Sequence, residues 1–501
     1  MKKLNLFIIA MVVSATSVFA GGLVTNTNGS AAWARTLTRE ASLGVDAVYF
    51  NPAGLAQLKN GLHLSISNQS IFQTRTITSD YQFLDGSPKT YQADLTAPIF
   101  PSIYAAFKAD KWTFSAGFNV IGGGGSANFE EGLPSFEIPV SGLVPSLRQS
   151  LTPIDDAVEG LTTVNPGFAN ITGYNMNASF SGSSAYYGVQ VGATYAITDM
   201  ISVAIGGRYV MANNAYEGSL TGVTIDAPAA YGGTQTPGNY LRLVSSQISP
   251  FDPGTGAVLD ATATGLDAQT ADKQLEATQS GSGFTPFISV NLHVTDMINI
   301  AAKYEHHTKI EMTNDMTVDD VGMFPDKAKT RADLPGMFTL GARIQPINKL
   351  TASVGFNYFL DKPAYYGKPE LDANGEKVMD EDGISFVQIN NETTIDKNAY
   401  TISASLEYKL LGILGLSAGF STGNLGVNDG YQSDLSYAQK SSTIAGGVFV
   451  EVGEMVTINA GYVYVMYDDY SKGSDGPPAW TDTYGKNTSI IAIGADISLG
   501  R

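Results

Sequence analysis

The chain has 501 residues, no cysteine and a formal net charge of −18, with 54 glycines and 25 tyrosines. Such acidity argues against a nucleic-acid partner, whose phosphates need a basic surface, and the missing cysteines exclude disulfides and a cysteine nucleophile. Beyond the N-terminus no stretch approaches 18 consecutive apolar residues, which excludes a helical membrane protein.

The first predicted element is a secretory signal over residues 1–20. It has a basic start at Lys2 and Lys3, an apolar stretch from Leu4 to Val13 and the small-residue end Val18-Phe19-Ala20. Removing it takes away two lysines and no acid, leaving a formal charge of −20. Residues 21–60 do not read as strand. Proline damages a central strand and an Asn-Pro step favours a turn, so Asn51-Pro52-Ala53-Gly54 points to a compact plug ahead of the first strand.

From Gly61 to the end of the chain, apolar and polar or small residues alternate in paired runs. Period-two alternation sends one set of side chains to each face of a strand. The clearest units are TYAITDMISVAIG at 194–206 and NLHVTDMINIAAKY at 291–304, each an alternating pair around a Thr-Asp-Met turn. Further tight turns fall near Asp110, Ile347, Gly412 and Gly453. Between these hairpins lie long polar excursions, the largest at 123–183, 213–282, 310–333 and 361–397. The count is fourteen strands, six short turns and seven long loops. Strands of about 9–11 residues joined by short turns on one side are the pattern of a transmembrane β-barrel. The predicted fold class is an all-β membrane protein: a barrel of about fourteen antiparallel strands over residues 61–501, with an N-terminal plug.

Face assignment turns Arg208, Lys303, Arg343, Glu305, Glu407, Lys409 and Asp496 inward. A ligand carboxylate would want an arginine or lysine beside an apolar slot, which singles out Arg208, Lys303 and Arg343. The alternative is that they pair with the inward acids or brace the plug. In the loops, Phe136, Ile138, Val140, Leu143, Val144 and Leu147 suggest a helix over the mouth. A second apolar set, Tyr240, Leu241, Leu243, Phe251, Met312, Met316, Met323 and Phe324, is the candidate capture groove, methionine adapting to varied apolar shapes. Its alternative is packing of loop against loop.

Asn51-Pro52-Ala53-Gly54, the Leu334-Pro335-Gly336 approach to a middle strand and the two Thr-Asp-Met hairpins together resemble the FadL-type outer-membrane transporters of long-chain fatty acids and other hydrophobic compounds. The resemblance covers nearly the whole mature chain. It implies an N-terminal hatch at 21–60, a monomeric fourteen-stranded barrel in the outer membrane of a Gram-negative bacterium, and passive uptake. It further implies that hydrophobic solute is caught between the third and fourth large loops and leaves through the barrel wall into lipid, where a kink opens the third strand. That strand runs from Trp112 and ends in Gly122-Gly123-Gly124-Gly125, so Gly117 and Gly122 are the candidate kinks.

Nothing points to a cofactor or a metal. His306 and His307 are adjacent on a strand and face opposite ways, and Asp380-Glu381-Asp382-Gly383 lacks the spacing of a calcium loop. There is no Gly-x-Ser-x-Gly turn and no phosphate loop, so an enzyme is not expected. The rival functions are a general porin for small polar solutes and a surface-binding or adhesive barrel.

Overall fold

The computed structural model describes residues 23–159, 165–474, 476 and 478–500; the signal segment lies outside the described residues. From Gly61 the chain lays down fourteen staves. They are β1 (Gly61–Ser79), β2 (Lys89–Ala109), β3 (Trp112–Phe129), β4 (Tyr174–Ala196), β5 (Ile201–Asp226), β6 (Lys273–Thr295), β7 (Ile298–Glu305, resuming at Glu311–Asp319) and β8 (Lys329–Arg331, resuming at Gly336–Ile347). Then follow β9 (Leu350–Leu360), β10 (Tyr400–Lys409), β11 (Leu414–Asn424), β12 (Ser441–Val452), β13 (Val456–Tyr467, resuming at Tyr470–Ser474) and β14 (Trp480–Ser498). Each pairs antiparallel with the next, and β14 returns to β1 with His63 opposite Ser498, closing the barrel.

The alternation of the sequence becomes the two sides of this wall. On β5, Ile201, Ile205, Tyr209 and Met211 are exposed, while Ser202, Arg208 and Asn214 are buried in the lumen. On β9, Val354 faces out while Thr351 and Asn357 face in. A sheet whose apolar face is outermost and whose polar face is enclosed is inverted relative to a soluble barrel. Hydrocarbon is the solvent that satisfies it, because every ladder hydrogen bond is made within the closed sheet.

All six tight turns appear where alternation placed them, for example Asp110-Lys111 between β2 and β3 and Asp296-Met297 between β6 and β7. The strands are much longer than expected. Staves β1–β6 and β14 run 18 to 26 residues. Their outer halves take up residues that read as loop, and β7 resumes within the 310–333 excursion at Glu311–Asp319. Above the apolar belt a ladder needs only its backbone bonds. On β5 the outward face continues after Met211 with Asn213, Ala215 and Glu217, and the alternation that marks a strand fades there.

Among the described residues the loops carry four α-helices: α3 (Pro134–Ser141), α4 (Leu143–Ala157), α5 (Pro237–Ile248) and α6 (Pro253–Thr270). The first pair occupies the segment expected to be helical. Inside the plug lie α1 (Ala31–Thr36), α2 (Ala47–Phe50) and a 3-10 turn at Pro52–Gln57.

Candidate functional site: a plugged lumen and a break in its wall

The plug is built into the lumen by its backbone. Ser30 caps α1, its Oγ accepting from the N–H of Trp33 at 3.0 Å, and the whole helix is buried. It lies against β10–β14 where the wall side chains are missing. A Cβ on Gly461 would stand 2.7 Å from the Ala34 carbonyl carbon; beyond α1, one on Gly341 of β8 would stand 2.6 Å from the backbone N of Ala41. Gly419 and Gly494 make the same room for Thr36 and Ala31. Arg35 reaches out from α1 to pair with Glu407, donates to Asn459 Oδ1 at 2.9 Å and lies over the Phe449 ring at 4.6 Å. Sequence reading gave Arg35 no role; inward-facing glycines repeated on successive strands were the available signal.

The opposite side of the plug is held by hydroxyls and amides. Asn51 Nδ2 donates to Asn291 Oδ1 at 2.8 Å and to the Ser42 carbonyl at 3.0 Å. Thr194 donates to the Pro52 carbonyl at 2.8 Å, Ser202 to the Ala53 carbonyl at 2.7 Å, and the Ala53 N–H donates to Ser289 at 3.2 Å. Pro52 opens the 3-10 turn, where its missing N–H costs nothing. A Cβ on Gly54 would meet the Ser42 carbonyl at 2.5 Å. The Asn-Pro-Ala-Gly step thus docks the plug on β4–β6.

Two of the three candidate carboxylate contacts also face the plug. Arg208 donates to both oxygens of Glu305 at 2.8 and 2.9 Å and to Gln190. Lys303 donates to Glu305 at 2.7 Å and to the Tyr49 carbonyl at 2.7 Å. The Tyr49 ring lies within 4.9 Å of both cations. This is the salt-bridge alternative, and it commits the hydrogen bonds of Arg208 and Lys303 to protein. Arg343 stands apart, half-buried, donating to Gln345 at 2.9 Å.

The wall is broken between β2 and β3. The β2–β3 ladder runs from Ala109–Trp112 to Ser102–Asn119, then lapses until Ala93–Phe129. Over the same stretch β3 bulges twice against β4, between Val120 and Gly122 and between Gly123 and Gly125. Gly123 and Gly124 take φ of +60° and +109°, conformations that a Cβ disfavours. The plug meets the bulged backbone: the Asn26 N–H donates to the Ile121 carbonyl at 2.8 Å and Asn26 Nδ2 to the Gly123 carbonyl at 2.9 Å. Gly122 lies at the first bulge. Gly117 does not kink, since it pairs regularly with Tyr104 and Gln190. Its small size instead admits the Tyr104 ring and Val48.

A cavity of about 770 Å³ opens at this break beside Ile99, Phe100, Pro101, Val120 and Gly124. A second cavity lies above the plug, lined by Val24, Tyr186, Met323, Phe324, Lys377 and Phe386. Asn214 and Gln279 line both, so the two adjoin.

The expected capture groove does not form as one surface. Met323 and Phe324 line the upper cavity, and Phe324 stacks on Tyr216 at 4.7 Å. Met312 is buried in the cluster around the plug and Met316 is half-buried. Tyr240 and Leu241 belong instead to the core of the helical cap, with Leu147 of α4 and Leu259 of α6. Leu243 and Phe251 point to the exterior. The reason is helical periodicity: Tyr240, Leu241, Val244 and Ile248 share one face of α5 and bury one another's neighbours.

No family model and no curated protein matches the sequence. Solved structures match the fold. A FadL homologue of Pseudomonas aeruginosa aligns with a TM-score of 0.60 at 12% identity, over 95% of this chain and 99% of that one. The Pseudomonas putida toluene transporter TodX aligns at 0.51 and 13% identity, over 96% and 99%. The chain therefore has the fold of FadL-type barrels.

Proposed function

We propose that this chain is an outer-membrane transporter for passive uptake of hydrophobic compounds, with long-chain fatty acids as its solute class. The observation that carries the reading is the pair of adjoining cavities, one under the loops and lined by Val24 of the plug, one at the break between β2 and β3, where Asn26 of the plug donates to the Gly123 carbonyl. An apolar solute loses its hydrophobic stabilisation in a water-filled pore, whereas a gap in the wall hands it to lipid. The plug is the moving part in this scheme. Displacing Asn26 frees the carbonyls of Ile121 and Gly123 and widens the gap. The upper cavity, with Met323, Phe324 and Phe386, holds solute on the way.

The test exploits the absence of native cysteine. Asn26→Cys with Ile121→Cys should tether plug to β3 under oxidation, stop uptake of a radiolabelled fatty acid, and release it on reduction. Full uptake with the tether closed would sink the gate. Mass spectrometry of ligand co-purifying with the detergent-extracted barrel tests the solute class; polar solutes only, with free sugar passage in liposomes, would favour a porin.

A further inference from the structure

A row of polar side chains crosses the inner wall and stops at the break. Ser184 on β4, Asn214 on β5, Gln279 on β6 and Asn314 on β7 stand opposite one another in successive ladders. Hydrogen bonds run along the three amides in one direction. Asn314 Nδ2 donates to the Pro325 carbonyl at 3.1 Å, Gln279 Nε2 to Asn314 Oδ1 at 2.8 Å and Asn214 Nδ2 to Gln279 Oε1 at 3.1 Å. That direction is forced. An amide side chain has a donor end and an acceptor end, whereas a carbonyl only accepts. Pro325 therefore takes the NH2 of Asn314, and each further amide presents its NH2 to the oxygen of the one before it. The end left over at Asn214 is an acceptor. Asn214 is buried, and its Oδ1 accepts no hydrogen bond.

This free end stands where the two cavities adjoin, since Asn214 lines both. Ser184, the next position in the row, lines the cavity at the break and pairs with Gly125 of the second β3 bulge. The Tyr186 hydroxyl stands beside both Ser184 and Asn214. The rest of the lining is largely apolar, with Phe100 and Val120 on one side and Val24 and Phe324 on the other. A buried acceptor without a donor is destabilising, and the relay from Pro325 prevents Asn214 from turning its NH2 that way instead.

We propose that Asn214 Oδ1 is the recognition point for the hydroxyl of a lipophilic solute. The solute O–H donates to Asn214 Oδ1, its oxygen accepts from the Ser184 or Tyr186 hydroxyl, and its chain lies along the apolar lining. A hydroxyl uses both the acceptor and the donors of this site, whereas an ether only accepts. Gln279 and Asn314 are positioning residues, acting through Asn214. The inference rests on the uptake reading and deepens it: among hydrophobic solutes the route favours those that carry an alcoholic hydroxyl, hydroxylated fatty acids included.

Dodecanol and methyl dodecyl ether share a chain and an oxygen and differ in the O–H. The full mature barrel in non-ionic detergent, equilibrated with equal amounts of both, should retain dodecanol over the ether on the order of fivefold beyond the ratio in protein-free micelles, the size of one hydrogen bond. Asn214→Leu should return the ratio to that of the micelles while both probes are still retained. Gln279→Leu breaks the relay and lets the Asn214 NH2 turn inward, so it should shift the ratio toward the ether, which a merely structural role for Gln279 would not do. A wild-type ratio equal to that of the micelles overturns the hydroxyl site while leaving hydrophobic uptake standing. So does an Asn214→Leu protein that keeps the wild-type preference. Retention of neither probe overturns the uptake reading and the site with it. Because the wild-type ratio is itself decisive, a variant that failed to assemble would not shelter the proposal.

Discussion

The two walls that hold the plug use glycine in opposite ways. On β10–β14 the strands are regular, and glycines such as Gly461 and Gly419 remove side chains so that the backbone of α1 packs directly on the sheet. On β3, Gly123 and Gly124 take positive φ, and the ladder to β2 lapses. The first wall is a seat and the second is a seam. The same residue supplies close approach in one place and a backbone conformation in the other, so glycine content alone does not distinguish a scaffold from a gate.

The largest expected effect comes from the ion triad beside the seam. Glu305→Gln leaves Arg208 and Lys303 enclosed without their carboxylate, which should cost about 3–5 kcal/mol and release residues 46–57 from the wall. Hydrogen exchange over that segment should rise while exchange at α1 stays slow; equal loosening of both would show the plug moving as one body. Next is the seat. Gly461→Val drives a side chain into Ala34 and should cost about 1–3 kcal/mol or more through overpacking. It should raise single-channel conductance without abolishing the heat-modifiable barrel, and unchanged conductance would mean that α1 is dispensable for the seal. Gly123→Ala acts on the seam. Its φ of +60° makes a Cβ costly by roughly 1–2 kcal/mol, and the clash with Ser184 should straighten β3 and reduce solute uptake at unchanged barrel melting.

The smallest effect is expected where neither wall is touched. Asp361, just beyond β9, is buried, and burial pushes its carboxyl up to about 6, although Tyr366 donates to it at 2.6 Å. The folded loop therefore binds this proton more tightly than the unfolded chain does, whose carboxyl titrates at the ordinary 3.8. Loop stability should fall as pH rises from that value to about 6 and be level above it. Proteolysis of residues 361–399 should show this dependence, and Asp361→Asn should remove it.

Strand number, turn positions and the inward or outward sense of each residue were legible because a bilayer imposes one period on every strand that crosses it. The resemblance carried by Asn51-Pro52-Ala53-Gly54 pointed to the fold that the chain adopts. Strand length was under-read because the outer halves of β1–β6 stand in water, where no apolar alternation is required. Helices α5 and α6 were also missed, although Thr236-Pro237 and Asp252-Pro253 each place a capping residue ahead of a proline at the first helical turn. Reading their apolar residues as a ligand groove overlooked that a helix must first bury its own apolar face.

The sequence by itself determined a closed fourteen-strand barrel with a short segment before it, since periodicity and turn chemistry are local and each strand carries its own signal. Only the tertiary structure decided which inward charges are matched. Arg208 on β5 reaches over β6 to Glu305 on β7, and Arg35 finds Glu407 across 372 positions of chain. Pairing in an enclosed lumen depends on distance through space, and spacing along the chain does not encode it.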